Sequence, residues 1–197
     1  MPNSVWASDR LIFRAIEPED DAFFHAFKID APTHLNVAFG TPKPQGKKDA
    51  TRTRESLQNS LLGVAITLRP DPDAAPTTDP PVTIGFTCLR AEDNMRHHRC
   101  AAVGISIGKQ YQGKGYGTET IRWLLHWGFR YGNLHRVEME AFGWNTTAIR
   151  LYEHLGFTME GRKKECLFFD DKWWDVLMFG MLEGTWREMQ EKRGIEK

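Results

Sequence analysis

The chain has 197 residues, enough to bury one core without a disulfide or metal staple. Hydrophobic residues make up 41% and charged residues 26%, which excludes a globally disordered chain. Lys plus Arg equals Asp plus Glu, 26 each, so the basic surplus expected of a nucleic-acid or anionic-membrane binder is missing. Cys88, Cys100 and Cys166 are scattered, with neither a CxxC nor an even framework, which fits a reducing compartment. Met1 to Trp6 lacks a basic start and an apolar core, and no apolar run approaches about 18 residues. A soluble cytoplasmic protein is expected, with neither nucleic acid nor membrane as partner.

Leu11 to Ile16 reads as a first strand. Glu17-Pro18-Glu19-Asp20-Asp21 then opens a helix, with proline in its first turn and acids where the helix dipole favours them. Phe23, Phe24 and Phe27 supply its apolar face. An irregular loop, placed to face substrate, is expected between Pro32 and Gly46, and a second helix from Asp49 to Leu62. The strand Val64 to Leu68 breaks into 69–81, where five prolines in thirteen residues exclude a helix or central strand. This segment is expected to be a flexible connection within one domain, since Val82 to Leu89 is the returning strand. Glu92 to His98 is a polar bend, and Cys100 to Ile107 is apolar enough for a central strand. The last third supplies a helix, a strand from Arg136 to Phe142, another helix, and two strands near Glu165 to Phe169 and Trp174 to Met181. Residues 1–182 are expected to form one domain and 183–197 a charged helical tail.

Chemistry concentrates in Ile105-Ser-Ile-Gly-Lys-Gln-Tyr-Gln-Gly-Lys-Gly-Tyr-Gly-Thr-Glu-Thr120. A strand runs into a loop with glycines at 113, 115 and 117, then into a helix with Ile121, Leu124, Leu125 and Gly128 on one face. Alternate glycines before a helix N-terminus let successive backbone N–H groups converge on a phosphate or pyrophosphate. Gly108 to Lys114 resembles a P-loop, but Gly115 stands where the Mg²⁺-binding hydroxyl is needed. The dinucleotide pattern G-x-G-x-x-G is also not met. Gln112-Gly-Lys-Gly115-Tyr-Gly117 does meet Q-x-x-G-x-G.

With that pattern the chain resembles the GNAT N-acetyltransferase superfamily, and within it the branch of ribosomal-protein N-terminal and spermidine acetyltransferases. Ser8 to Arg14, Glu17 to Asp20, Leu134 to Glu140, Asn145 to Phe157 and Glu160 to Arg162 follow in the family's order. The resemblance implies an α/β fold: a mixed, mostly antiparallel sheet flanked by helices and splayed at the acetyl-CoA site. It implies transfer of acetyl from acetyl-CoA to a primary amine by direct attack in a ternary complex, without a metal or an acyl-cysteine. The cofactor residues it implies are Gln112, Gly113, Lys114, Gly115, Tyr116, Gly117, Thr118, Asn145 and the backbone of Ile105 and Ile107. Tyr152 is implied as the acid that protonates the leaving thiolate, and a homodimer is implied as well.

Each of these residues also has a plainer reading. Asn145 is a good N-cap, compatible with ligand contact, and Gly156 a C-cap. Tyr152 shares an apolar stripe with Ala148, Leu151 and Leu155, so it is either the acid or a core tyrosine. Lys114 pairs with a phosphate or is solvated. Glu138 and Glu140 share one strand face, as a proton relay or, preferably, a salt-bridged surface. His97, His98 and Cys100 lack a second ligand cluster for zinc. Trp173, Trp174 and Trp186 are expected in the core or at a dimer contact. Many members of this branch carry an acid just before the central strand's glycine motif. Ala101-Ala102 stands there instead, leaving the general base unassigned and a non-catalytic CoA-binding regulatory module as the alternative. The acceptor amine is not specified.

Overall fold

Seven strands and their flanking helices are seen in the computed structural model, which describes residues 4–30, 40–70 and 81–194. In chain order they are β1 (Leu11–Arg14), α1 (Asp21–Ile29), α2 (Lys47–Gln58), β2 (Leu62–Leu68), β3 (Thr83–Arg90), β4 (Cys100–Ile107), α3 (Tyr116–Arg130), β5 (Arg136–Phe142), α4 (Thr146–Leu155), β6 (Thr158–Phe169), β7 (Lys172–Leu182) and α5 (Glu183–Lys192). The strand order is β1-β2-β3-β4-β5-β7-β6, with β4 and β5 parallel and the sheet otherwise mostly antiparallel. This is the mixed α/β architecture expected. The loop expected between Pro32 and Gly46 lies partly, and the connection at 69–81 almost wholly, outside the described residues.

The chain divides into two units, Met1–Leu89 with Gly104–Trp123, and Arg90–Val103 with Leu124–Lys197. In the first, alternation along β1 buries Leu11 and Phe13, and Phe13 stacks on Trp123 with ring centroids 3.7 Å apart. Phe24 and Phe27 of α1 both pack on Phe86 of β3, beside a buried cluster of Ile16, Ala50, Leu57, Ala65 and Cys88. In the second, Val137, Phe179, Met181 and Leu124 are almost wholly buried. Trp186 of α5 is also buried and packs against Phe129.

A bulge in β3 ties this strand to the glycine loop. Its pairing with β2 slips between Ile66 and Thr67, leaving Ile84 unmatched between Gly85 and Thr83. The Ile84 carbonyl then accepts from the Gly108 amide at 2.8 Å, where β4 ends and the loop begins.

The first strand is shorter than expected, ending at Arg14, and the last is longer, Lys172–Leu182; three other boundaries differ for identifiable physical reasons. Helix α2 starts two residues earlier because Asp49 is its third residue, reaching back to accept from the Gly46 amide at 2.9 Å. Leu62 belongs to β2, opposite Leu89, rather than to that helix. Strand β6 starts at Thr158, not near Glu165: its first half is the charged, solvent-facing run Glu160 to Glu165 and shows no apolar alternation. Asp170 and Asp171, both at positive φ, form the two-residue turn into β7.

Asp20 anchors the entry to α1. Its carboxylate takes two bonds from Arg14, at 2.6 and 2.8 Å, and one from the Glu17 amide at 2.9 Å. Burial alone would raise its pKa; Arg14 and the Glu17 amide together outweigh burial and hold it below the usual carboxylate value. A depressed pKa contributes stability above the unfolded-state value that is lost as pH falls through the folded one. Asp20→Asn is therefore expected to lower Tm at pH 7 by about 2–6 °C, with the gap to wild type closing below roughly pH 4. Thermal melts at pH 7 and pH 3 check this; a constant gap contradicts it.

Candidate functional site

In a strand, successive residues direct their N–H and C=O groups to opposite edges. Along β4 the Gly104 carbonyl accepts from the Thr87 hydroxyl at 2.9 Å, and the Gly108 amide bonds Ile84, so the even residues face β3. Ile105 and Ile107 thus present their backbone groups to the opposite edge. The parallel ladder of β4 with β5 consists of three pairs, ending at Ala102 opposite Glu138, before either isoleucine is reached. The Ile107 carbonyl is already engaged: the Gln112 side-chain amide donates to it at 2.7 Å. Gln112 therefore ties the loop to the strand.

The loop has the backbone its glycines permit. Gly113 and Gly115 have φ of +72° and +84°, a region costly for residues with a Cβ. Gly117 is instead inside α3, its second residue. The first backbone bond of that helix runs from the Glu119 amide to the Gly115 carbonyl at 3.1 Å. The amides of Tyr116, Gly117 and Thr118 precede it and lack intrahelical acceptors, so they and the helix dipole favour an anion there. Lys114 holds its ammonium 5.8 Å from the Tyr111 ring centroid. This donor set fits a pyrophosphate.

Three residues of this region carried no assigned role in the sequence reading. The Arg10 backbone amide and Nε each donate to Glu119 at 2.8 Å, and Nη1 donates to the Lys114 carbonyl at 3.1 Å. The Ser8 hydroxyl adds a bond to Glu119 at 2.7 Å. Partners 109 residues apart in sequence carry no local signal of their pairing.

The other assigned residues belong to the second unit. Asn145 caps α4, its Oδ1 accepting from the Ala148 amide at 3.1 Å, which leaves the side-chain NH₂ available. Gly156 ends that helix at φ +92°. Tyr152 is 6% exposed, edge-on to Phe179 with centroids 5.6 Å apart and tilted against Phe157. Burial pushes its phenol up to about 12, so it stays protonated at neutral pH.

The acidic residues are largely spoken for. Arg136 bonds both Glu138 and Glu160, which holds the guanidinium above its ordinary pKa and Glu160 below, while Lys163 lies 3.3 Å from Glu140. Glu138 and Glu140 thus form a salt-bridged face. Asp21 accepts from Arg54 at 2.7 Å and from the Thr51 hydroxyl at 2.7 Å. With Asp20 held by Arg14, two carboxylates of the Glu17–Asp21 cluster are neutralised internally. Burial and the neighbouring Glu138 push the Cys100 thiol up, the opposite of an activated nucleophile. Among the described residues no group of three or more His, Cys, Asp or Glu could hold a metal ion. No helix among them is long and apolar enough to cross a membrane. The tryptophans differ from one another: Trp186 is buried, Trp174 donates to the Phe169 carbonyl, and Trp173 is 61% exposed and so outside the core.

Comparison with known proteins converges on one family. The family model described as an acetyltransferase (GNAT) domain matches residues 10–158, three quarters of the chain. The uncharacterized N-acetyltransferase YokL of Bacillus subtilis is 24% identical over 92% of this chain and 94% of its own. The ribosomal protein uS5 alanine N-acetyltransferase of Escherichia coli is 30% identical over 45% of each chain. Apart from YokL, the chain is matched over about half the length of these curated relatives. The crystal structure of spermidine N-acetyltransferase from Vibrio cholerae, in complex with CoA and spermine, superposes with a TM-score of 0.74. That likeness covers 91% of this chain and 99% of the other at 23% identity, and so speaks for the fold. A matching domain model across β1 to α4, on a fold shared with solved acetyltransferases, leaves one conclusion: the chain belongs to the GNAT acetyltransferase family and is an acyltransferase.

Proposed function

We propose that this chain transfers acetyl from acetyl-CoA to a primary amine by direct attack in a ternary complex. The observation that carries the reading is the loop after β4, where two left-handed glycines lead into free helix amides. Acetyl-CoA, when bound, supplies the activated acyl group. The loop from Gln112 to Thr118 binds its pyrophosphate through backbone amides, with the Lys114 side chain adding charge. The outward backbone groups of Ile105 and Ile107 align the pantetheine, a proximity effect. The Asn145 NH₂ contacts the same cosubstrate, and the Tyr152 hydroxyl gives its proton to the leaving thiolate sulfur. With Ala101-Ala102 before the glycine motif and Glu138 bound to Arg136, the amine loses its proton to water. The acceptor class is an α-amine, polyamine or small-molecule amine, as in relatives named for ribosomal protein uS5 and spermidine.

Release of free CoA from acetyl-CoA that depends on an added amine tests the reading, read with a thiol reagent across peptide, polyamine and small-amine acceptors. Tight acetyl-CoA binding with no amine-dependent release from any class would instead favour the regulatory CoA-binding module. Asn145→Asp separates cap from ligand contact, because aspartate caps as well but cannot donate from that position. Its Tm should stay within about 2 °C of wild type. Turnover should fall by roughly tenfold; unchanged turnover would reduce Asn145 to a cap.

A further inference from the structure

Glu119 sits in the first turn of α3, the turn whose first three amides lack intrahelical acceptors and so favour an anion. An uncompensated carboxylate there opposes a bound pyrophosphate. The N-terminal segment supplies the compensation: the Ser8 hydroxyl and the Arg10 amide and Nε donate to Glu119, and Arg10 Nη2 lies 2.8 Å from Oε2. Arg10 does a second thing through Nη1, which donates to the Lys114 carbonyl at 3.1 Å. In a trans peptide the carbonyl and the following amide point in opposite directions. Drawing the Lys114 carbonyl towards Arg10 therefore turns the Gly115 N–H away from it. The guanidinium also lies 4.7 Å over the Tyr116 ring, and a Cβ at residue 115 would sit 3.2 Å from Nη2. Nε, Nη1 and Nη2 each hold one partner on Glu119 or Lys114, which ties Arg10 to the loop.

We propose that Arg10 is a positioning residue for the cofactor loop, fixing the Lys114–Gly115 peptide so that its amide faces the pyrophosphate and cancelling the charge of Glu119. The inference rests on the acetyl-CoA reading, and it adds a specificity: Arg10 matters only for donors that carry a pyrophosphate.

The test compares acetyl-CoA with S-acetylpantetheine, which keeps the thioester and lacks the pyrophosphate. In Arg10→Met, which keeps an unbranched stem and removes the guanidinium, Kd and KM for acetyl-CoA should rise about tenfold or more, the loss falling on KM rather than kcat. With acetylpantetheine the same substitution should cost little. Adding Glu119→Gln to Arg10→Met should restore part of the acetyl-CoA affinity, since the uncompensated charge is gone; a merely structural tie predicts a further loss. Arg10→Lys keeps charge without the fork and should fall between, which gives a second reading if the methionine variant folds poorly. Unchanged acetyl-CoA affinity in folded Arg10→Met, or equal losses with both donors, overturns the inference. If the wild-type chain itself binds no acetyl-CoA, the cofactor reading falls with it.

Discussion

Replacing Tyr152 by phenylalanine is expected to lower kcat by about 100-fold, roughly 2.7 kcal/mol of lost transition-state stabilisation. Packing against Phe157 and Phe179 survives, because only the hydroxyl is removed. Acetyl-CoA affinity should hold, since the proposed pyrophosphate contacts are backbone groups of the loop and not this side chain. With burial pushing the phenol up to about 12, the hydroxyl is a proton donor at every pH at which rates are measured. The pH profile of kcat should accordingly show no falling limb from this group below about pH 11. If Tyr152 serves only the core, the variant turns over normally and loses some Tm. Turnover and melting measured on one preparation distinguish the two, and full activity ends the assignment of the acid.

The second large effect is expected at Gly85. A Cβ there would lie 2.2 Å from the Ser106 carbonyl oxygen and 3.1 Å from the Ile107 Cα. Both are backbone atoms of β4, so relief requires the strand itself to shift. Gly85→Ala should cost about 2–4 kcal/mol, lowering Tm by roughly 5–15 °C. Because the displaced segment carries the outward groups of Ile105 and Ile107, acetyl-CoA affinity should drop about tenfold or more in protein that still folds. Gly184→Ala serves as control: it lies in α5 with nothing within 4 Å of the added carbon and should be neutral or slightly stabilising. Equal behaviour of the two variants would contradict the close approach of β3 and β4.

The sequence was most informative where one pattern had one physical meaning. Cys100 to Ile107 and Arg136 to Phe142 were legible to the residue, being apolar strands flanked by turn residues. The Asn145 cap and Gly156 stop were legible because capping chemistry is local. Strand β6 was half hidden, since a solvent-facing edge strand has no burial to impose alternation. The bulge at Ile84 was invisible, as it depends on the register of β2 against β3. At the site, the glycine spacing identified the loop, yet not that Gln112 occupies the Ile107 carbonyl or that Arg10 grips Lys114. Those bonds are set by how the chain returns on itself.

Strand β6 ends the sheet, and an unpaired strand border is a template on which another chain can add. Here that border is blunted. Exposed Arg162, Lys163 and Lys164 line it, Arg162 paired with Asp175 and Lys163 with Glu140, and Glu165, at φ +47° with its amide held by Asp175, breaks the straight run. A second copy approaching this border would meet long charged side chains and a kinked backbone. The same charged run that hid β6 from sequence patterning thus disfavours β-addition at this border.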